Sequence, residues 1–187
     1  MSELWMQTHT GKRFEPSNPM PEMICIEDIA HALSQVVRFG GHGPERYTVA
    51  QHSILVARRA MQLEMRRGGE HDQQRAVGLW GLLHDASEAY LQDIPSPVKA
   101  LLPDYRAVEA SVMRAVTDHF GLDATEPDVV KQADRDLVVT EAAVFFPAAS
   151  RPGVWTVPGE NLICLHSAVI PLRDAEEVFL AAFRALT

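Results

Sequence analysis

Val77-Gly78-Leu79-Trp80-Gly81-Leu82-Leu83-His84-Asp85-Ala86-Ser87-Glu88 is the stretch that decides the fold of this 187-residue chain. From Val77 to Leu83 there is no charged side chain, so a helix wound from these residues is apolar almost all round and belongs in the middle of a packed bundle. A carboxylate directly after such a run is costly unless it is paired or bound to a metal. His84, Asp85 and Glu88 stand at i, i+1 and i+4, which puts His84 and Glu88 on one face of a continuing helix with Asp85 beside it. The dipeptide alone says little, because His71-Asp72 occurs too, in the polar helix start Gly68-Gly69-Glu70-His71-Asp72-Gln73-Gln74-Arg75, where nothing buries it.

Outward from this helix, taken as about Asp72 to Leu91, the pattern stays helical. Ile26, Ile29, Ala30, Leu33, Val36 and Val37 recur at helical spacing until Gly40-Gly41 stops the run after Arg38-Phe39. Thr48-Val49-Ala50-Gln51 reads as a capping box opening a helix from about Val49 to Arg67. Pro95 and Pro97 mark a loop, with a helical turn expected over Val98 to Leu102. Amphipathic helices follow over Tyr105 to Phe120 and from Thr125-Glu126-Pro127-Asp128 to about Phe146. Asp174 to Leu186 closes the chain. Two β elements are expected: a short strand or extended arm at Leu4 to Thr8, and a hairpin pairing Val154-Trp155-Thr156-Val157 with Leu162-Ile163-Cys164-Leu165. The fold class is therefore mostly α: a single-domain helical bundle with a minor β element from the terminal segments.

Composition narrows the function classes. A formal net charge of −8 leaves no basic stripe for a nucleic-acid polymer, although a small anionic ligand needs only a few local cations. With two cysteines, Cys25 and Cys164, neither a disulfide framework nor a cysteine zinc site is expected. No apolar run reaches the length of a membrane span, and Met1-Ser2-Glu3 does not open like a secretory signal, so a cytoplasmic protein is expected.

Two further helices carry ionisable groups on apolar stripes. His52 lies with Val56, Ala60 and Leu63. Asp134 lies with Val130 and Leu137 and, a turn further, Glu141. Two imidazoles and two carboxylates from three helices make a mixed N/O set suited to one divalent transition ion with open positions. Each position has a plainer reading: a hydrogen-bonded core histidine at 52, an arginine-paired aspartate at 134, and a rival ligand in Asp136 on the face of Val129, Ala133 and Thr140.

Arg38-Phe39, Val49-Ala50-Gln51-His52-Ser53, the long string from Leu82 through His84-Asp85-Ala86-Ser87-Glu88 to Asp93-Ile94-Pro95-Ser96-Pro97-Val98-Lys99, and Lys131-Gln132-Ala133-Asp134 together resemble the HD-domain nucleotide phosphohydrolases. The nearest pattern is that of the bacterial 5′-deoxynucleotidases, over about residues 24 to 146. The resemblance implies an HD-type helical fold, a divalent ion held by His52, His84, Asp85 and Asp134 rather than Asp136, a small nucleotide substrate and a homo-oligomer. Metal-activated water is the nucleophile such a site provides. Glu88, a turn from His84, is placed to orient or deprotonate water, and Asp93 to protonate a leaving alkoxide or position the attack. Arg38 offers a planar fork for phosphate, and Gly40-Gly41 after it admits a ligand close to the backbone. Phe39 stands where that pattern has Trp. Ser96 and Lys99 add a hydroxyl and a second cation.

The expected activity is hydrolysis of a deoxynucleoside 5′-monophosphate to deoxynucleoside and phosphate. A triphosphohydrolase acting on a dNTP such as dATP is the rival, and would call on Arg46, Arg106 or Arg135. From another class, a non-catalytic nucleotide sensor would keep the metal but have no use for Glu88 or Asp93.

Overall fold

Thr48 opens the helix that carries His52: its hydroxyl accepts from the Gln51 amide at 3.4 Å while its own amide donates to the Gln51 side-chain oxygen at 3.0 Å. This is the reciprocal box read from the sequence. In the computed structural model, residues 4–148, 159, 160, 162, 169 and 174–187 are described. The described helices are α1 (Ile26–Gln35), α2 (Val49–Arg66), α3 (His71–Leu83), α4 (Glu88–Leu91), α5 (Ser96–Lys99), α6 (Pro103–Phe120), α7 (Asp128–Phe145) and α8 (Ala175–Leu186). Helix α2 is the axis of the bundle, touching α1, α3, α7 and α8. Val49, Ala50, Ile54 and Ala57 enter one apolar cluster with α1, the end of α3, α6 and α8. Leu55, Val56, Ala60 and Leu63 enter a second with α7.

Three boundaries depart from the sequence reading, and each departure serves the site. The helix expected over Asp72 to Leu91 is broken: α3 ends at Leu83, residues 84–87 are turns, and α4 resumes at Glu88. The His84 ring donates Nδ1–H back to the Gly81 carbonyl at 2.8 Å, satisfying a C-terminal helix carbonyl that a continuing backbone would have taken. Helix α1 stops at Gln35 rather than running to Arg38-Phe39. Val36 and Val37 are extended, Val37 bridges Thr48, the Arg38 amide donates to the Tyr47 carbonyl, and a 3₁₀ turn follows over Arg38–Gly41. The turn expected at Val98 to Leu102 begins earlier, at Ser96, because Pro97 fits a first helical turn.

The β element is an N-terminal hairpin, β1 (Met6–Gln7) paired antiparallel with β2 (Arg13–Phe14), not an arm alone. Phe14 is buried and stacks on Tyr90, which ties this hairpin to α4. The hairpin expected between residues 154 and 165 lies, except for Gly159, Glu160 and Leu162, outside the described residues.

At Gly81 the backbone of α3 lies close against that of α2: a Cβ there would sit 3.0 Å from the Ala57 Cα. Backbone cannot swing aside as a side-chain end can. Gly81→Ala is therefore expected to lower stability by about 1–3 kcal/mol through overpacking. Urea denaturation measures this, and an unchanged midpoint would show that the two helices are not held at this distance.

Candidate metal and phosphate site

The breaks described above bring side chains from α2, the end of α3 and α7 to one point. His52 is fully buried on α2, and His84 and Asp85 follow the last turn of α3. Asp134 stands on α7. His52 Nε2 lies 3.1 Å from Asp134 Oδ1 and 3.8 Å from Asp85 Oδ2, and His84 Nε2 lies 3.1 Å from Asp85 Oδ2 and 3.9 Å from Asp134 Oδ1. Ligands bound at roughly 2.0–2.2 Å around one ion stand about 3–4 Å apart, so these spacings suit a shared cation.

The imidazoles show the same orientation. His52 Nδ1 faces the Glu141 carboxylate at 2.6 Å and His84 Nδ1 faces the Gly81 carbonyl at 2.8 Å, so in both rings the proton is fixed on Nδ1. Both Nε2 atoms are buried without a hydrogen-bond partner. A buried Nε2 with no hydrogen-bond partner, on a ring whose Nδ1–H is already engaged and beside two carboxylates, is the arrangement that a divalent ion satisfies by taking the place of a proton. The donor atoms of His52, His84 and Asp85 all lie within 4.8 Å of one another. These residues fit a metal.

Asp136, the rival ligand, does not face this point. It is buried on the other side of α7, where one oxygen accepts from Arg59 Nε and Nη2 and the other from the Glu160 amide. The arginine-paired aspartate of α7 is thus Asp136, and its place is structural.

Beside the four groups opens a cleft of about 680 Å³, a volume ordinary for a small-molecule site. Arg38, Phe39, Asp85, Glu88, Asp93, Ser96, Lys99 and Asp134 all line it, so the sequence-predicted substrate and proton-handling residues share one space with two of the four predicted metal ligands. His52 and His84 sit behind Asp85 and Asp134. Arg38 donates from Nε to Glu141 at 3.0 Å and holds Nη1 3.6 Å from Asp85. Phe39 and Gly40 have left-handed backbones, φ 56° and 59°, so the chain turns sharply beside the cleft; the Phe39 ring meets Phe145 and Phe146 edge-on. Lys99 donates to Glu109 at 2.6 Å and to Glu88 at 3.3 Å.

Electrostatics separates the carboxyls. Burial opposes ionisation of Asp85, but His84 beside it and Arg38 overcome that and hold it well below the usual range. Burial likewise works against His84, yet the Asp85 charge raises it to about 10. At Glu88 burial comes first and the Asp85 and Asp93 charges add to it, so its pKa stands well above the ordinary glutamate value; Lys99 pulls it back. Asp93 is raised too, first by burial and then by Asp85, with Arg38 and Lys99 opposing. Two neighbouring carboxyls that resist ionisation beside one that does not are a common basis for proton transfer.

Sequence reading gave no role to Glu141, Tyr47 or Glu109, and left Arg46, Arg106 and Arg135 as unplaced candidates for a longer phosphate chain. Arg135 lines the cleft, whereas Arg106 is exposed and Arg46 is taken up elsewhere by the Ser34 carbonyl and the Gln35 side chain. His71 is exposed at the start of α3, as its polar surroundings suggested. His31 faces away from the cleft and forms a second group with His9 and Glu176. There the two rings stack 3.7 Å apart at 13°, so their in-plane lone pairs run side by side rather than converging.

A profile of the YfbR-like 5′-deoxynucleotidase family matches residues 28–137, a stretch that contains Arg38, His52, His84, Asp85, Glu88, Asp93, Lys99 and Asp134. The uncharacterized protein YfdR of Escherichia coli K12 is 36% identical over 137 residues, which cover 73% of this chain and 70% of that protein. The uncharacterized protein RCAP_rcc00048 of Rhodobacter capsulatus is 38% identical over 137 residues, covering 71% of this chain and 66% of the other. A conserved hypothetical protein from Pyrococcus furiosus superposes with a TM-score of 0.52 at 20% identity, over 85% of this chain and 98% of that one. That likeness shows the fold, which is compatible with an HD-type helical bundle. Matched by the family profile over more than half its length, the chain belongs to the YfbR-like 5′-deoxynucleotidase family.

Proposed function

We propose that this protein is a divalent-metal-dependent phosphohydrolase that cleaves deoxynucleoside 5′-monophosphates to deoxynucleoside and phosphate. The observation that carries the reading is the pair of buried, unpartnered Nε2 atoms of His52 and His84 between Asp85 and Asp134, beside a cleft lined by Arg38, Lys99 and Arg135. His52, His84, Asp85 and Asp134 would hold the divalent ion, which would supply Lewis acidity to activate water and neutralise charge on the phosphoryl oxygens. Arg38 and Lys99 bind and orient the phosphate from the wall of the cleft. Glu88 and Asp93 are the proton-handling pair: one takes a proton from the attacking water, the other delivers one to the departing 5′ oxygen. Phe39 and the Ile94-Pro95 edge offer an apolar wall to the sugar or base.

Charge favours the monophosphate over the triphosphate. Among the described residues three cations line the cleft, Arg38, Lys99 and Arg135, against four carboxyls, Asp85, Glu88, Asp93 and Asp134, and the first two cations already face carboxylates. One divalent ion offsets a dianionic phosphate there but not the larger charge of a triphosphate. The test is a panel of dNMPs, NMPs and dNTPs with Mn²⁺, Co²⁺ or Mg²⁺, products resolved as phosphate or triphosphate. Phosphate from dNMPs is expected. Triphosphate from dNTPs would replace the monophosphate reading, and no turnover of any nucleotide with any metal would overturn the enzyme reading.

A pH effect follows from Lys99. This cation favours the ionised form of Glu88, so its loss raises the Glu88 pKa further. In Lys99→Met the limb of the kcat/KM profile that Glu88 governs is expected to move to higher pH: the acidic limb if Glu88 is the base, the alkaline limb if it is the acid. Profiles that superpose after scaling would remove Glu88 from the titration.

A further inference from the structure

Glu141 is fully buried on α7, and it lies beyond the stretch 28–137 that the family profile matches. Three groups meet on its carboxylate. Oε1 accepts from His52 Nδ1 at 2.6 Å and from the Tyr47 hydroxyl at 2.9 Å, and Oε2 accepts from Arg38 Nε at 3.0 Å. One of these partners belongs to the proposed metal set and another to the proposed phosphate clamp. We infer that Glu141 is a positioning residue that ties the metal site to the phosphate site, so that one buried charge sets both the tautomer of His52 and the aim of Arg38.

The physical argument has two halves. A carboxylate at Nδ1 keeps the imidazole proton there, directs the Nε2 lone pair at the ion and makes the ring a better donor. On the other oxygen, Glu141 holds Arg38 against the pull of Asp85, whose oxygen is 3.6 Å from Nη1. Without Glu141, Asp85 is the remaining ion-pair partner of the guanidinium among the described residues. Arg38 would then compete with the metal for a ligand and leave its phosphate-binding position. The same substitution should therefore weaken metal and substrate together, although Glu141 lines neither the cleft nor the four-residue set. Tyr47 completes the hydrogen bonding that a fully buried carboxylate requires.

This rests on the metal-dependent reading above, and the experiment separates the two. Divalent-ion affinity of the full chain is measured without nucleotide, by Mn²⁺ or Co²⁺ titration against a competing chelator, for the parent and for Glu141→Gln, with circular dichroism to verify folding. If the parent itself binds no ion, the metal reading fails and takes this inference with it. Given a binding parent, Glu141→Gln is expected to weaken the ion by about ten- to a hundredfold and to raise KM for a dNMP more than it lowers kcat at saturating metal. Unchanged metal affinity, or a loss of thermal stability alone, would reduce Glu141 to a core residue. Should Glu141→Gln fail to fold, ¹⁵N long-range NMR on the histidines of the parent decides the matter. The inference requires His52 as the Nδ1–H tautomer, and an Nε2–H tautomer would overturn it.

Discussion

Replacing His84 or Asp85 by alanine is expected to remove the bound metal and with it all measurable nucleotide hydrolysis, whereas Glu88→Ala should keep the metal and slow turnover by a factor on the order of a hundred or more. The contrast comes from position. His84 Nε2 and Asp85 Oδ2 stand 3.1 Å apart at the point where the His52 and Asp134 donors also converge. Each single loss leaves the remaining donors with an incomplete set, and in Asp85→Ala a buried Arg38 also loses an anion. Glu88 belongs to a different layer: it follows the break, on α4, and one of its oxygens faces Lys99 while the other has no partner. On the proposed reading it handles a proton, not an ion. Metal content by elemental analysis and dNMP turnover of the three variants check this together. Equal metal loss in all three would make Glu88 a ligand, and residual full activity in His84→Ala would end the metal mechanism.

The bundle and the residues gathered at the cleft were legible because they rest on local rules. The Thr48-Gln51 box, the apolar stripe of α2 and the start signal at Thr125 to Asp128 act within one or two turns. What escaped rests on contacts that no short window contains. Nothing in the helical period from Val77 to Leu91 announces a break, because the residue that makes it, His84, is a passable helix former. Its ring must first be turned toward the Gly81 carbonyl, and that orientation is set by the packing of α3 on α2. The extended piece at 36 and 37 likewise depends on pairing with 47–49. Glu141 is the sharpest case. Its partners lie 89, 94 and 103 residues away along the chain, and from the sequence it is one more charge at the edge of an apolar stripe. The one available signal was its spacing, seven residues after Asp134 and so on the same face of α7.

Arg38→Ala is expected to lower kcat/KM for a dNMP by about a hundred- to a thousandfold, the range seen when a preorganised donor to developing charge is removed. It should also destabilise the fold by about 3 kcal/mol, because the fully buried Glu141 loses its cation. The two effects have separate origins, and a double substitution divides them. In Arg38→Ala combined with Glu141→Gln no carboxylate is left buried and uncompensated, so much of the stability should return, while catalysis stays low because nothing grips the phosphate. Arg38→Lys sharpens the point: an ammonium restores charge near Glu141 but has no planar fork to reach one carboxylate through Nε and still present Nη1 and Nη2 to the cleft. It should recover stability more than activity. Urea denaturation and steady-state kinetics of the four proteins supply the cycle. If the double variant were as unstable as Arg38→Ala, or if Arg38→Lys turned over dNMP at the parental rate, Arg38 would be a core-pairing residue and the phosphate clamp would have to lie with Lys99 and Arg135.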